Sequence, residues 1–152
     1  MMRGLALALF AVGCTAAPAD SSVEQEEAEL APYMDLMQRH GAKLGYAIQA
    51  RNLKLSEFYL HEIEESLEEI AAEIPEHDGY PIARLIDQVA LPGLAPLEEA
   101  MTIRSWSRID EAYVAMIDTC NACHAATEHE FLVILPAEGE PPFMQRFAPS
   151  DN

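Results

Sequence analysis

The stretch Asp118 to Thr127, "DTCNACHAAT", contains two of the three cysteines of the chain and places His124 directly after the second of them. Two cysteines at this spacing can form a disulfide, hold a metal ion, or attach a larger group covalently. The order Cys120-x-x-Cys123-His124 is the sequence signature of covalent haem attachment. It therefore predicts one haem c, and the rest of the chain can be tested for a fold that would hold it.

The motif continues an apolar helical stripe that begins after a capping serine, Ser105 or Ser107. This stripe consists of Trp106, Ile109, Tyr113, Met116 and Ile117, followed by Cys120, Cys123 and His124. The residues Asp110, Glu111, Asp118 and Asn121 are predicted on the opposite, outer side. Two thiols one helical turn apart can reach the two vinyl groups of a single porphyrin edge, with the adjacent imidazole beneath the ring to ligate iron.

Three further helices precede this one, and the periodicity of their apolar residues predicts an all-α fold. The first helix is predicted from about Ala31 to Arg51, with Leu30, Met34, Met37, Gly41, Leu44 and Ile48 on its inner face. The second has Leu55, Tyr59, Ile63, Leu67, Ile70 and Ile74 inside, carries seven glutamates outside, and stops at Pro75. The third is weaker: residues 81–89 form one piece, Pro92-Gly93 breaks it, and residues 95–104 resume. The prediction is a haem-binding four-helix bundle over residues 30–127.

The N-terminus has the pattern of a secretory signal over residues 1–13. The basic start "MMR" is followed by the apolar run "GLALALFAV", which is too short to span a bilayer as a stable helix. The tetrapeptide "AVGC" resembles the bacterial lipobox, so lipidation of Cys14 is expected, with ordinary cleavage near Ala17 or Ala19 as the alternative. Residues 14–29 are small, polar and acidic, as in a flexible tether.

The strong net negative charge restricts the kinds of partner that the protein can bind. The chain has 9 Lys and Arg against 26 Asp and Glu, a formal net charge of −17 that becomes −18 once Arg3 leaves with the signal. Nucleic acid and anionic lipid surfaces are therefore poor partners, and membrane association is expected only through the N-terminal lipid. A redox partner with a basic surface would be attracted over long range, although the same acidity also serves solubility alone. The sequence has no triad, phosphate loop or paired carboxylates, so an enzyme is not expected.

Taken together, these residues resemble the cytochrome c-prime family and its low-spin relatives. The resemblance covers roughly Leu30 to His124 and is carried by Cys120-Asn121-Ala122-Cys123-His124 in the last helix and by "LMQRHGAKL" in the first. It implies a four-helix bundle, thioether links at Cys120 and Cys123, and His124 as the proximal iron ligand. It also implies that two copies can pair through their first two helices. The residue between the cysteines that is often basic in the family is Asn121 here.

The sixth iron position decides the function that the resemblance implies. A first-helix methionine facing iron gives an electron carrier, whereas an aliphatic residue leaves an open site for small gases. Met34 and Met37 lie on the predicted inner stripe, and His40 lies about 60° away from Met37 around the helix. A methionine ligand, a His40 ligand and an open iron all stay open at this point.

Three further residues have possible roles at the site. Arg39 and Lys43 could pair with the haem propionates, or serve only as surface charge. His129 raises a rival chemistry, because Cys120, Cys123, His124 and His129 could form a tetrahedral zinc site. The secretion signal and the helical setting favour haem over zinc.

A C-terminal extension, residues 128–152, departs from the family pattern. It contains the apolar run "EFLVIL" and the proline-rich "PAEGEPPFMQRFAP", so no helix is predicted there. We expect either an ordered wrap over an exposed haem edge or a loose tail. The sequence as a whole predicts a periplasmic monohaem c-type cytochrome, lipid-anchored to the outer membrane, that carries single electrons. The alternative is a high-spin haem protein that binds NO or CO.

Overall fold

The computed structural model describes residues 29–150. The predicted signal at residues 1–13, lipidation at Cys14 and almost all of the predicted tether lie outside the described residues. Within 29–150 the regular structure is helical, with no strand beyond a single bridge between His77 and Tyr80. The prediction of an all-α chain is confirmed, and its helices pack as a bundle. In the described part, no helix is long and apolar enough to cross a membrane.

The bundle consists of four rods in chain order. The helices are α1 (Leu30–Gln49), α2 (Leu53–Glu73), α3 (Ile82–Leu85), a π-helical segment (Ile86–Ala90), α4 (Leu91–Thr102) and α5 (Trp106–Ala126). Short connections make successive rods antiparallel, with α1 against α2, α2 against α4, and α4 against α5. The contact between α1 and α5 is much smaller than these. The starts of α1 and α3 and the ends of α2 and α5 therefore lie at one end of the bundle.

The third rod corrects the sequence prediction, since Pro92-Gly93 does not break it. Pro92 lies in the first turn of α4, which continues directly from the π-helical segment. Its ring would clash with the carbonyl four residues earlier, at Gln88, and that residue lies in the wider π-helical segment. The rod thus stays helical from Ile82 to Thr102.

Ser105 precedes α5 as its N-cap residue, which agrees with the predicted start. Its side chain, however, makes no capping hydrogen bond. An ion pair is found beside this helix start instead: Arg51 binds both carboxylate oxygens of Asp110, at 2.8 and 3.0 Å, and lies 5.1 Å from the ring centre of Trp106. Both charged side chains are about half exposed, so we expect the pair to add no more than about 1 kcal/mol.

Between α1 and α5 the hydrophobic core is dense at one end of the bundle and thin at the other, whereas α2 and the third rod stay buried at the thin end through Ile70, Ile74 and Ile82. Along α1 the buried residues begin only at Gly41, and along α5 they stop at Ile117. The predicted inner residues Leu30, Met34 and Met37 are only partly buried. The less filled end is the one that contains the cysteine motif.

Tyr113 joins α5 to α1. Its hydroxyl donates to the carbonyl of Gly41 at 3.2 Å and accepts from the backbone N–H of Ala137, also at 3.2 Å. A Cβ on Gly45 would collide with the Tyr113 hydroxyl and lie 2.7 Å from the Ala137 Cβ. Glycine is therefore required at position 45 for the two helices and the C-terminal extension to meet.

Replacement of Gly45 by alanine should destabilise the bundle by about 1–3 kcal/mol, because the overpacking outweighs the better helix propensity of alanine. Gly41→Ala is the matched control, since a Cβ there meets nothing within 4 Å. It should leave stability equal or raise it by up to about 1 kcal/mol. Urea unfolding of both variants, in protein expressed without haem, measures the difference. Equal effects of the two substitutions would contradict the close approach at Gly45.

Candidate functional site

The last two turns of α5 hold the cysteine motif. Cys120 and Cys123 are free and half-buried, one turn apart. Burial, with a smaller contribution from Cys123, raises the pKa of Cys120 to about 11, and burial also raises the pKa of Cys123. Both groups are therefore thiols at neutral pH. Neither cysteine is engaged in a disulfide, so both sulfurs are available for covalent attachment.

His124 is held in one tautomer by the C-terminal extension. Its Nδ1 lies 2.7 Å from the carbonyl oxygen of Leu132. A carbonyl can only accept, so Nδ1 carries the hydrogen and Nε2 keeps its lone pair. Metal-ligating histidines generally show this arrangement, with the second ring nitrogen bonded to a carbonyl or carboxylate. The His124 imidazole is thus prepared to ligate through Nε2.

The rival zinc site is not formed. His129 shows the same kind of Nδ1 bond as His124, to the carbonyl of Thr127 at 2.6 Å, so this bond does not distinguish the two histidines. No three His, Cys, Asp or Glu side chains in residues 29–150 are gathered as they would be around a metal ion. The described structure therefore gives no support to a tetrahedral site made of the motif and His129.

The register between α1 and α5 places the two methionines at about the height of the motif along the bundle axis. Tyr113 meets α1 at Gly41, and the helices run in opposite directions. Met34 lies seven residues before Gly41 and Cys120 seven residues after Tyr113, which is about 10 Å along each axis. Met34 therefore lies at about the height of Cys120, and Met37 lies one turn nearer to Tyr113. Both methionine side chains are half-buried and pack against the core.

The surface around the motif is apolar and incompletely covered. In the extension, Phe131 and Leu135 are 73% and 75% exposed, and Leu132 and Val133 are exposed as well. On α1, Gly41 is buried, yet a Cβ there would meet no atom within 4 Å. The space beside Gly41 lies at the height of Tyr113, near the middle of α1. The uncovered apolar side chains around His124 fit an apolar group bound at the motif end of the bundle.

The other first-helix candidates lie elsewhere. The ring centre of His40 is 6.1 Å from that of Tyr59 on α2, so its ring lies against α2. Arg39 forms an exposed ion pair with Asp35 one turn earlier, at 3.1 Å. The Lys43 ammonium lies 5.5 Å from the ring centre of Tyr59 and 5.3 Å from that of Phe143. In these interactions, the partners of all three side chains lie outside the cysteine motif.

The prediction from sequence did not identify two residues that are important at the site. Asn121 was predicted to face outward, but it is half-buried and hydrogen-bonded to the backbone of Ile134 through both ends of its amide. Leu132 contributes through its backbone carbonyl, for which a side-chain pattern gives no signal. Residue spacing on α5 could have placed Asn121 beside His124, since i and i+3 share a face.

No family model, curated protein or solved structure matches the chain. The function is therefore inferred from the side-chain donors of the motif and from the residues around them. Two free thiols one turn apart, an imidazole with Nε2 available, and uncovered apolar surface nearby fit a covalently attached haem. We regard the donor set as suited to that group.

The partly buried position of His40 predicts a pH effect on stability. Desolvation lowers the pKa of His40 below its usual 6.5, although Glu62 opposes the shift. The unfolded chain therefore binds the proton more tightly, so the stability contributed by neutral His40 is complete above pH 6.5 and is lost as pH falls below it. Urea unfolding of haem-free protein at pH 7.5 and 5.5 should show a larger loss for the native chain than for His40→Gln. The same loss in both would contradict the assignment.

Proposed function

We propose that the protein is a monohaem c-type cytochrome that carries single electrons through a haem attached to α5. The observation that carries the proposal is the motif itself: Cys120 and Cys123 lie one turn apart with free thiols, beside an imidazole whose Nδ1 is already bonded to a carbonyl. The likeness of the motif and of the first helix to the cytochrome c-prime family supports the same proposal. The bundle packing agrees with it.

Covalent attachment is the role of the two cysteines. Each thiol would add across a vinyl double bond of the haem, with sulfur bonded to one carbon and the thiol proton going to the other, so no oxidant would be needed. His124 would ligate iron through Nε2.

A bound haem supplies a one-electron iron couple, and the chain sets its environment. Apolar residues of α1, α5 and the extension would exclude water, which favours the less charged reduced state. The net charge of −17 works in the opposite direction, because it stabilises the oxidised iron. The same charge would orient a redox partner with a basic surface.

Met34 or Met37 is the proposed sixth ligand. Support comes from the register, which puts Met34 at the height of Cys120 and Met37 one turn away, whereas His40 lies against α2. A thioether ligand makes the protein an electron carrier rather than a gas binder.

The second candidate function is binding of NO or CO at an open iron. One observation favours it: α1 makes only a small contact with α5, so room can remain between the two helices on the side of the motif that faces α1. A small diatomic ligand could occupy such a space if neither methionine reached iron.

The proposed location is the periplasm, with the protein anchored to the outer membrane by lipid at Cys14. A secretory signal and a lipobox-like "AVGC" support this proposal. c-Type haem is normally attached outside the cytoplasmic membrane, so the location and the cofactor agree. Pairing of two copies through α1 and α2 belongs to the same family likeness.

Cysteine variants test the attachment. In a host that attaches c-type haem, Cys120→Ala or Cys123→Ala should leave haem bound through one thioether, and the double variant should lose all covalent haem. Intact mass and the alkaline pyridine spectrum measure this, because the spectrum distinguishes one unreacted vinyl group from none. Haem retained covalently by the double variant would rule out the assigned cysteines.

Methionine variants distinguish the two candidate functions. If Met34 or Met37 is the ligand, its replacement by alanine should turn a low-spin reduced spectrum into a high-spin one that shifts with carbon monoxide. The other methionine serves as the matched control and should leave the spectrum unchanged. If the unaltered protein is already high-spin and shifts with carbon monoxide, the open-iron function replaces the electron carrier.

A further inference from the structure

We propose that the C-terminal extension is a positioning element for the iron ligand: Asn121 clamps the extension against α5 so that the Leu132 carbonyl holds His124 and sets the reduction potential. This inference rests on the proposed haem. It assigns roles to Asn121 and Leu132, neither of which is one of the two cysteines or the histidine of the motif. Neither role depends on the identity of the sixth ligand.

The clamp is a pair of hydrogen bonds between one side chain and one backbone residue. The Asn121 amide nitrogen donates to the Ile134 carbonyl at 3.0 Å, and its amide oxygen accepts from the Ile134 N–H at 2.8 Å. An asparagine side chain used in this way imitates a neighbouring strand. It fixes both the distance and the rotation of the extension at Ile134, two residues from the Leu132 carbonyl.

The extension has little slack between its contacts with α5. It meets the helix at Leu132, beside His124, and again at Ala137, beside Tyr113. The eleven-residue step from Tyr113 to His124 rises about 16 Å along α5, and the five-residue step from Leu132 to Ala137 spans at most about 18 Å when extended. The segment as a whole is therefore close to fully extended, and Ile134, which Asn121 holds, is only two residues from Leu132.

The far end of the extension is fixed separately. The Tyr46 hydroxyl donates to the Glu138 carbonyl at 3.0 Å, the Asn52 amide to the Phe147 carbonyl at 2.9 Å, and the Tyr59 hydroxyl to the Gln145 side chain at 2.7 Å. These bonds lie on α1 and α2, away from His124. They allow the far end to be released while the clamp at Asn121 stays in place.

The Leu132 carbonyl has an electronic effect as well as a steric one. A hydrogen bond from Nδ1–H to a carbonyl makes an imidazole a stronger donor, which stabilises oxidised iron and lowers the potential. Loss of this bond should therefore raise the potential. A purely packing role for the extension predicts no such shift.

The experiment compares Asn121→Ala with Tyr59→Phe in the full-length haem protein. Each variant removes contacts of the extension, but only Asn121→Ala releases it beside His124. We expect Asn121→Ala to raise the midpoint potential and to speed exchange of the Ile134 amide proton by about fivefold or more. Tyr59→Phe should change neither measurement.

Ile134→Pro serves as a second variant. It removes the backbone N–H that donates to the amide oxygen of Asn121, while residues 120–124 stay unchanged. It should raise the potential in the same direction, and it decides the matter if Asn121→Ala does not attach haem. Amide exchange can also be read in the haem-free chain, which separates the clamp from the cofactor.

Three results would overturn the inference. Faster Ile134 exchange with an unchanged potential would make the extension a packing element only. Unchanged exchange in Asn121→Ala would mean that the clamp does not hold the extension. Failure of the unaltered chain to attach haem would remove the proposed function, and this inference with it, whereas the first two results leave the haem in place.

Discussion

The closure of the bundle depends on the contact of Tyr113 with α1. One hydroxyl accepts from the extension at Ala137 and donates to α1 at Gly41, while the missing Cβ of Gly45 gives it room. This contact joins α5, α1 and the extension at a single point. It also fixes the register of α5 against α1, and through that register it decides which first-helix residues lie opposite the cysteine motif.

The site follows from what lies on the two sides of that contact. Towards the α1–α2 connection the core is filled, and the bundle is stabilised there by packing. Towards the motif, Met34 and Met37 are only half-buried, and Phe131 and Leu135 present apolar surface. Exposed apolar surface of this kind commonly marks a binding site. Haem attached to α5 would complete the packing that the chain leaves open.

Much of the fold could be predicted from the sequence, because apolar periodicity is a direct consequence of burial on one helical face. The stripes containing Ile63 on α2 and Ile109 on α5 led to the correct helices, and the bounds differ from those predicted by one or two residues at most of the ends. Pro92 misled the prediction, since a break and a π-helical widening leave the same signal in a sequence. Which of the two occurs depends on tertiary packing of the third rod.

The candidate site was predictable only in its side-chain donors. Cys120 and His124 stand in a motif whose spacing has chemical meaning, so the sequence could name them. The Leu132 carbonyl could not be named, because every residue has one and only the path of the chain brings this one to His124. Asn121 was assigned to the outer side of the helix with its polar neighbours, and the extension, which has no periodicity, gave no indication that it packs against that side.

The measurement that tests the central claim most directly is the intact mass of the unaltered chain from a haem-attaching host, followed by its reduced spectrum with and without carbon monoxide. Our account predicts a mass increased by one haem that survives denaturation and extraction, with a sharp low-spin spectrum indifferent to the gas. A chain that leaves the same host with unmodified cysteines would contradict the account.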